Sequence, residues 1–530
     1  MSAQGNFPRY GAARDYHEAT KLSYINLRTK PPLYKSYRDI PVVPLSPEFP
    51  SPDMPALEAV GNSRAVPDTP SPVNISAVAQ LLYSSAGLIR KAFLRSAGEV
   101  HYRAAASAGA LYPIDLYLVC GDLEGLEAGV YHFSAVDFSL GQLRRGDFRG
   151  ELARAAGNDP EVAAAPLSVI CTANFWRSAW KYRARGYRYC FWDCGTILSN
   201  LLAVSNALGQ PSKVSVGFVD GDVDRLLGID PADEAGLCVV TVGAGSGVSA
   251  PSAAAGALIE IMPGYNLAGE QIGYDEVTLA HAEAALATPE DVAAWRSGAL
   301  AELEKTGAVG SGVPVAMGQE PGLPLAEVIL ERGSTRRFAR EAISWAQFET
   351  ILAAATQGMR WDFQERGSLQ GVYLIVNAVE SIAPGAYFFS VEDSELTLLR
   401  EGEFREEAAH LCFEQALGGD SSAVAFFMAD LEEVFRRMGS RGYRAAQLEA
   451  GVMGGNMYLA AHSLGLGATG MTFYDDEVTE FFSPHAEGKS VMFLVGLGKR
   501  GHPNRVRPYR SRVAVQLDAL ARGAGGGEGL

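Results

Sequence analysis

The sequence lacks the features that commit a chain to a membrane, to export or to nucleic acid. No apolar run approaches the roughly 18–20 residues that span a bilayer. The opening Met1-Ser2-Ala3-Gln4-Gly5 has neither the basic nor the apolar region of a secretion signal. Positive charge is in deficit: the formal net charge is −16, which favours solubility and disfavours non-specific contact with nucleic acid or anionic lipid. The expectation is a cytoplasmic protein with no nucleic-acid or membrane partner, although one local basic patch can still hold a single phosphate. Cysteine is sparse, six residues at positions 120, 171, 190, 194, 238 and 412. Only Cys190 and Cys194 lie close together, one helical turn apart and with no His or further Cys beside them. They read as core packing, and no metal site is expected. No Gly-x-Gly-x-x-Gly follows a strand, so no dinucleotide crevice is encoded.

What the sequence does contain is a repeat. Tyr117-Leu118-Val119 recurs as Tyr373-Leu374-Ile375, and Gly129-Val130-Tyr131-His132-Phe133-Ser134 as Gly385-Ala386-Tyr387-Phe388-Phe389-Ser390. Arg185-Gly186-Tyr187-Arg188 recurs as Arg441-Gly442-Tyr443-Arg444, and Gly195 and Asn200 as Gly451 and Asn456. Every pair is 256 positions apart (373 − 117, 385 − 129, 441 − 185, 456 − 200), and chance matches do not hold one register across strand, turn and helix patterns. The chain is two related halves fused head to tail.

Each half has the same order of elements. A helix (from Ile75 to about Ala86; Trp345 to Ala355) precedes strands at Leu116–Cys120 and Gly129–Phe133, or Val372–Asn377 and Gly385–Phe389. A further apolar strand (Leu167–Thr172; Ala423–Met428), a long helix (Tyr189–Leu208; Ala445–Leu464) and a last strand (Gly236–Val242; Ser490–Leu497) follow. Strands interleaved with long helices indicate helices covering a sheet, an α+β class. Residues 1–75 read as an irregular lead-in whose proline-rich stretch, Pro41 to Pro72, is too punctuated for regular structure. The first domain spans 76–245. A linker over 246–320 opens on a Gly/Ala/Ser-rich seam and carries an amphipathic helix from about Asp275 to Lys305, with a break near Pro289. The second domain spans 321–505, and the tail 506–530 ends in a glycine-rich, disordered stretch.

Three segments carry chemistry. Arg332, Ser334 and Arg336, just before a helix, can aim two guanidiniums and a hydroxyl at one anion, and Lys499-Arg500 follows the last strand. The alternative for either cluster alone is a solvated basic face. Ser107-Ala108-Gly109, in Ala106-Ser107-Ala108-Gly109-Ala110-Leu111-Tyr112-Pro113, lets backbone N–H groups approach a flat ligand, or is simply a tight loop. Trp180-Lys181-Tyr182-Arg183-Ala184-Arg185-Gly186-Tyr187-Arg188-Tyr189 mixes basic and aromatic side chains as single-strand nucleic-acid binders do. The acidic total and the recurrence at 441–444 favour a helix start instead.

Together these motifs resemble the nitroreductase superfamily. Arg-x-Ser-x-Arg with a terminal basic pair is similar to its flavin mononucleotide (FMN) site. The Ser-Ala-Gly segment, the Lys181-Tyr182 pair, and Tyr16-His17-Glu18 with Thr20-Lys21 resemble its SagB/ThcOx-type dehydrogenases. The resemblance is close over 16–243 and more distant over 325–500. It implies two tandem nitroreductase-like domains forming an intramolecular pseudo-dimer, with FMN bound between them. It also assigns proton abstraction to Lys181 and Tyr182, and places Arg332, Ser334, Arg336 and Lys499 or Arg500 on the phosphate and ribityl chain. Ser107, Ala108 and Gly109 fall along the ring system, with Gln415 as an amide contact.

The halves depart from the family in complementary ways. Half one has Asn62-Ser63-Arg64 in place of Arg-x-Ser-x-Arg and no basic pair after Gly243-Ala244-Gly245. Half two lacks the Ser-Ala-Gly segment: Ser334 to Tyr373 is 39 residues (373 − 334), against 54 from Ser63 to Tyr117 (117 − 63). It has Arg437 and Met438 where half one has Lys181 and Tyr182. The surviving elements make one complete site and one empty of function, so the expectation is one flavin per chain. A neutral Lys181 would need burial and neighbouring cations, with Arg183 and Arg185 as the candidates. The resemblance implies hydride transfer from a peptide or other natural product to flavin, as in azoline-to-azole oxidation, within a biosynthetic complex of partner proteins. An NAD(P)H-fed nitro- or quinone reductase and a non-catalytic scaffold for peptide maturation are the alternatives.

Overall fold

The computed structural model describes residues 29–49, 53–94, 98–245, 273–300, 312–318, 322–365 and 367–501. The Tyr16–Lys21 motif, most of the glycine-rich seam and the tail from 502 lie outside the described residues.

Each half builds one seven-stranded sheet. Half one contributes β1 (Val42–Pro44), the hairpin β2 (Leu88–Leu94) and β3 (Gly98–Arg103), then β4 (Ile114–Cys120), β5 (Gly129–Ser134), β6 (Ser139–Arg145), β7 (Leu167–Asn174), β8 (Ser212–Ser215) and β9 (Glu234–Val242). Half two contributes β10 (Val313–Pro314), β11 (Gly371–Val376), β12 (Gly385–Ser390), β13 (Glu395–Glu401), β14 (Ala423–Asp430), β15 (Gly467–Gly470) and β16 (Lys489–Gly498). The sheet orders are β1-β6-β5-β4-β7-β9-β8 and β10-β13-β12-β11-β14-β16-β15, so every strand of one seven-stranded sheet has its image in the other, and the β2–β3 hairpin stands apart. All pairings are antiparallel, which is the α+β class. The central strands β4, β7 and β9 are buried along their whole length, because helices cover both faces of the sheet.

The halves meet on two long helices, Gly186–Ala207 and Leu431–Ser463. Their crossing point is the repeated glycine. A Cβ added at Gly195 would stand 2.4 Å from the Gly451 carbonyl carbon and 2.5 Å from the Val452 nitrogen, so only a residue without a side chain lets the backbones approach this closely. Ser199 donates to Asn456 Oδ1 at 2.7 Å and the Trp192 indole to Gln447 at 2.6 Å across the same seam. The Lys181–Arg188 segment is helical, as the repeat indicated: helix Phe175–Tyr182, one tight turn, then the long helix.

Several elements differ from the sequence reading. The proline-rich lead-in is not wholly irregular. Val42–Pro44 pairs with β6 as an edge strand, where Pro44 is tolerated because no further strand needs its missing donor. Ala56–Gly61 forms a helix with Pro55 at its N-cap. The linker helix is broken near Pro289, as the sequence indicated, into Asp275–Glu283 and Pro289–Ala299, the second started by a Thr288–Asp291 capping box. Residues 301–305 lie outside the described residues. All six cysteines are free and buried. Cys194 approaches not Cys190 but Cys238, at 3.9 Å, and the sulfurs of Cys171, Cys194 and Cys238 lie within 4.8 Å of one another. Among the described residues no helix is long and apolar enough to cross a membrane.

Candidate functional site

Arg332 ends the helix Leu325–Glu331 of half two and reaches into half one. Its Nε and Nη2 donate to the Ala104 carbonyl at 3.1 and 2.6 Å, and its guanidinium lies 5.5 Å from the centroid of the Tyr458 ring. Arg90, on β2 of half one, donates to the Arg332 carbonyl. Both guanidiniums are buried, and neither has a carboxylate partner among the described residues. Burial first, and repulsion from Arg90 second, pull Arg332 down to about 10. Nε of Arg90 is buried with no acceptor. Two buried cations without a counter-ion are costly unless an anion joins them, so this donor set fits a phosphate. Ser334 shares a hydrogen bond with the Tyr458 hydroxyl at 3.1 Å.

The outer basic residues are also gathered. Phe338 bridges to Arg500, and the Ala339 N–H donates to the Lys499 carbonyl at 2.9 Å, so the loop carrying Arg336 lies along the end of β16. Arg336 is exposed. Lys499 stands 3.4 Å from Glu341, and Arg500 donates to the Gly465 carbonyl at 3.3 Å. Gln415 does not join this group. Its amide donates to the Cys412 carbonyl of its own loop at 2.9 Å, and no hydrogen bond links it to Arg332, Ser334 or Arg336.

The Ser-Ala-Gly segment of half one faces Arg332. A narrow cleft lined by Arg103, Ala106, Ser107, Tyr112 and Asp193 shares Ala106 with a second, lined by Thr196, Asn200, Arg332, Gly455 and Tyr458. Lys181 and Tyr182 come to the same loop. A Cβ at Gly109 would stand 2.8 Å from the Tyr182 hydroxyl and 3.0 Å from Lys181 Nζ, and Gly109 has φ +63°. The positive φ favours glycine here, while the tips of the two side chains could shift to make room. Tyr182 stacks on Tyr189 with ring centroids 4.2 Å apart, and burial raises its hydroxyl pKa well above the ordinary tyrosine value. Lys181 is exposed, so the chain alone does not supply the burial expected of a neutral lysine. Arg185 pairs with Asp475 at 2.7 Å.

Two residues of this site were not foreseen. Arg90 sits in the β2–β3 hairpin, which half two lacks. Asp193 holds the loop: it accepts from Ser107 Oγ at 2.5 Å and from the Ala108 N–H at 3.0 Å, while Ser107 Oγ accepts from the Tyr112 N–H at 2.9 Å. The Ser107 hydroxyl is thus committed to shaping the loop, and Ala108 gives its N–H to the same carboxyl. A sequence signal existed, an acid at one register in both apolar helices (Asp193 and Glu449, 449 − 193 = 256). Glu449 does the same work in half two, accepting from Gln364 at 2.6 Å and from the Leu369 N–H at 2.9 Å.

Burial raises Asp193 to about 7, against the lowering effect of its two donors. Its folded pKa lies above the unfolded value of about 4, so its contribution to stability is full below about pH 4 and is lost as pH rises towards 7. Asparagine does not titrate. The melting temperature of Asp193→Asn minus that of the wild type should therefore climb between pH 4 and 7 and level off above, as read by calorimetry. A difference that does not change with pH would mean the carboxyl is ionised throughout.

The reciprocal position is filled with protein. Helix Ala56–Gly61 runs beside Leu325–Glu331, with Pro55 and Pro324 bridged. Eight residues after each proline stand Ser63 and Arg332 (63 − 55, 332 − 324). Among the described residues, the Ser63 hydroxyl donates to the Val60 and Gly358 carbonyls. Where half one has its Ser-Ala-Gly loop, half two places Trp361, Asp362 and Phe363. Asp362 accepts from the Val216 and Gly217 N–H groups at 2.8 and 2.9 Å and from Arg296 at 3.0 Å. Trp295 of the linker seals the space, its indole donating to the Met438 carbonyl at 2.9 Å.

The comparisons agree with this architecture. The nitroreductase family profile matches the chain twice, at residues 76–244 and 329–499. MJ1384 of Methanocaldococcus jannaschii, which carries the nitroreductase name, is 30% identical over 160 residues, covering 30% of this chain and 76% of that protein. The trifolitoxin-processing protein TfxB of Rhizobium leguminosarum bv. trifolii is 29% identical over 198 residues, 35% of this chain, and the chain spans about half of it, 51%. A crystal structure from Anabaena variabilis that carries the nitroreductase name superposes with a TM-score of 0.70 at 24% identity. It covers 92% of this chain and 99% of its own, so the whole tandem fold is shared. The chain belongs to the nitroreductase family, with the family's domain present twice.

Proposed function

We propose that the chain is an FMN-dependent oxidoreductase with one cofactor per polypeptide, acting on a peptide. The observation that carries this reading is the meeting of Arg332 and Ser334 from half two with Arg90, the Ser-Ala-Gly loop and Lys181-Tyr182 from half one. Arg332 and Arg90 would neutralise the phosphate, with Arg336, Lys499 and Arg500 at its outer side, and Asp193 would keep the loop in shape. Bound flavin supplies hydride-accepting chemistry at a substrate carbon. Lys181 would accept the proton that the substrate loses along with the hydride, with the Tyr182 hydroxyl, kept protonated by burial, beside it. The likeness to TfxB and the Lys-Tyr pair support a processed peptide as substrate, with azoline-to-azole oxidation as the reaction the SagB-type resemblance implies.

The visible spectrum of the purified chain, with flavin counted per polypeptide, tests this. One equivalent is expected; none, or two, overturns the reading. Arg332→Ala should weaken flavin retention about ten- to a hundredfold, the loss of a hydrogen bond to a charged group at about 1.5–3 kcal/mol. Rapid bleaching by NAD(P)H would favour the reductase alternative.

A further inference from the structure

The repeated Arg-x-x-Arg builds two related ion clusters that differ in one respect. In the first, Asp220 of half one holds Arg441 at 2.5 Å and Arg444 at 2.7 Å, with the Arg441 guanidinium 4.5 Å from the Phe218 ring. In the second, Asp475 of half two holds Arg185 at 2.7 Å and Arg188 at 2.5 Å, with the Arg185 guanidinium 5.1 Å from the Phe473 ring. The arginines are 256 apart (441 − 185, 444 − 188) and the aspartates 255 (475 − 220).

The first cluster is sealed, with side-chain exposures of 1% for each arginine and 9% for Asp220. The linker covers it, and does so through backbone groups. The His281 carbonyl accepts from Arg444 at 2.6 Å, the Ala284 carbonyl from Arg441 at 2.9 Å, and the Leu286 N–H donates to Asp220 at 2.9 Å. The linker then continues to Trp295, under the carbonyl of Met438. The second cluster is open: 32% for Arg185, 16% for Arg188 and 35% for Asp475. Nε and Nη2 of Arg185 and Nε of Arg188 are buried without an acceptor, as are Nη2 of Arg441 and Nε of Arg444 in the sealed cluster, while Nη2 of Arg188 donates to the Val491 carbonyl at 2.6 Å. This cluster borders the candidate site, since Tyr189 both stacks on Tyr182 and donates to Thr472 at 3.1 Å. Tyr182 is the image of Met438 (438 − 182 = 256).

We infer that the Arg185–Asp475–Arg188 cluster is the seat for the backbone of the peptide substrate, with Arg185 receiving a substrate carbonyl as Arg441 receives that of Ala284 and Arg188 holding Asp475 in place. The linker is thus an internal copy of the ligand's binding mode, bound to the inactive image of the site. Recognition is through main-chain carbonyls and one N–H, so the seat takes peptides of differing sequence and leaves the side chain over Tyr182 to set preference. This rests on the peptide reading above.

A fluorescein-labelled peptide with the sequence of residues 273–300, added to the flavin-loaded full-length chain, is the probe, followed by anisotropy. Binding is expected, at least tenfold weaker to Arg185→Met and Arg188→Met and unchanged for Arg183→Met, an exposed neighbour outside the cluster. Arg185→Lys keeps the charge facing Asp475 but loses the second row of donors, and should also weaken binding if the methionine variants do not fold. No binding, or binding indifferent to both Arg185 and Arg188, overturns the inference. Flavin is counted in the same preparation. Bound flavin with no cluster-dependent binding removes the seat and leaves the redox reading, whereas cluster-dependent binding by a flavin-free protein removes the redox reading and leaves the seat.

Discussion

Gly195→Ala should separate the two halves and take the flavin site with it. Alanine favours a helix over glycine by about 1 kcal/mol, so local propensity predicts a gain. Packing reverses the sign. The new Cβ would meet the Gly451 carbonyl carbon at 2.4 Å, the Val452 nitrogen at 2.5 Å and Gly451 Cα at 2.6 Å, all backbone atoms that no rotamer change can move. Overpacking of this kind costs about 1–3 kcal/mol, and the upper end applies where both helices must shift. Gly451→Ala is the internal comparison. Its Cβ would meet Trp192 Cα at 2.9 Å and the Phe191 carbonyl oxygen at 3.0 Å, a milder conflict, and should cost about 1 kcal/mol. Denaturant unfolding gives both values, and flavin content should fall in the same order, because Arg332 and the Ser-Ala-Gly loop lie on opposite sides of this seam. Equal destabilisation by the two variants would mean that the helices slide rather than part.

Lys181→Ala should retain flavin and lose turnover. Removing a general acid or base lowers rates by about 10²–10⁴-fold, and among the described residues Lys181 makes no hydrogen bond or ion pair on which the fold depends. Its Nζ lies 5.1 Å from the centroid of the Tyr182 ring and beside Gly109. Being exposed, it is desolvated only when a substrate covers it. Stopped-flow reduction of the bound flavin by a substrate that the wild type turns over measures the effect. Flavin content at wild-type level with a hundredfold slower reduction is the expected outcome. A variant purified without flavin would make Lys181 a binding residue instead.

Most of the legible parts of the fold were those repeated at 256 positions, although β6 and β13 repeat at that spacing (395 − 139) and were not read. The helices and central strands fall where periodicity places them, within a few residues at their ends, except that the long helix of half two begins at Leu431 and not at Ala445. The flanking strands β1, β8, β10 and β15 were missed because each is four residues or fewer and carries too little alternation to read. The β2–β3 hairpin was missed because it has no copy in half two. At the site, Arg332, Ser334, Lys181, Tyr182 and Gly109 were legible as motifs. Gln415 was placed by its position in the family pattern, but its amide is bonded within its own loop.

The sequence by itself determined that the chain is duplicated, that the duplicates are α+β units, and that their losses are complementary: periodicity, register and residue type survive in one dimension. Tertiary structure decided which of those residues meet. Only the folded chain brings Arg332 to Ala104 and Arg90, because that contact depends on two helices crossing at Gly195 and Gly451. Asp193 became a loop holder only when burial removed water from its carboxyl. The same Arg-x-x-Arg became a sealed joint in one place and an open cluster in the other, and the difference lies in where a linker far along the chain comes to rest.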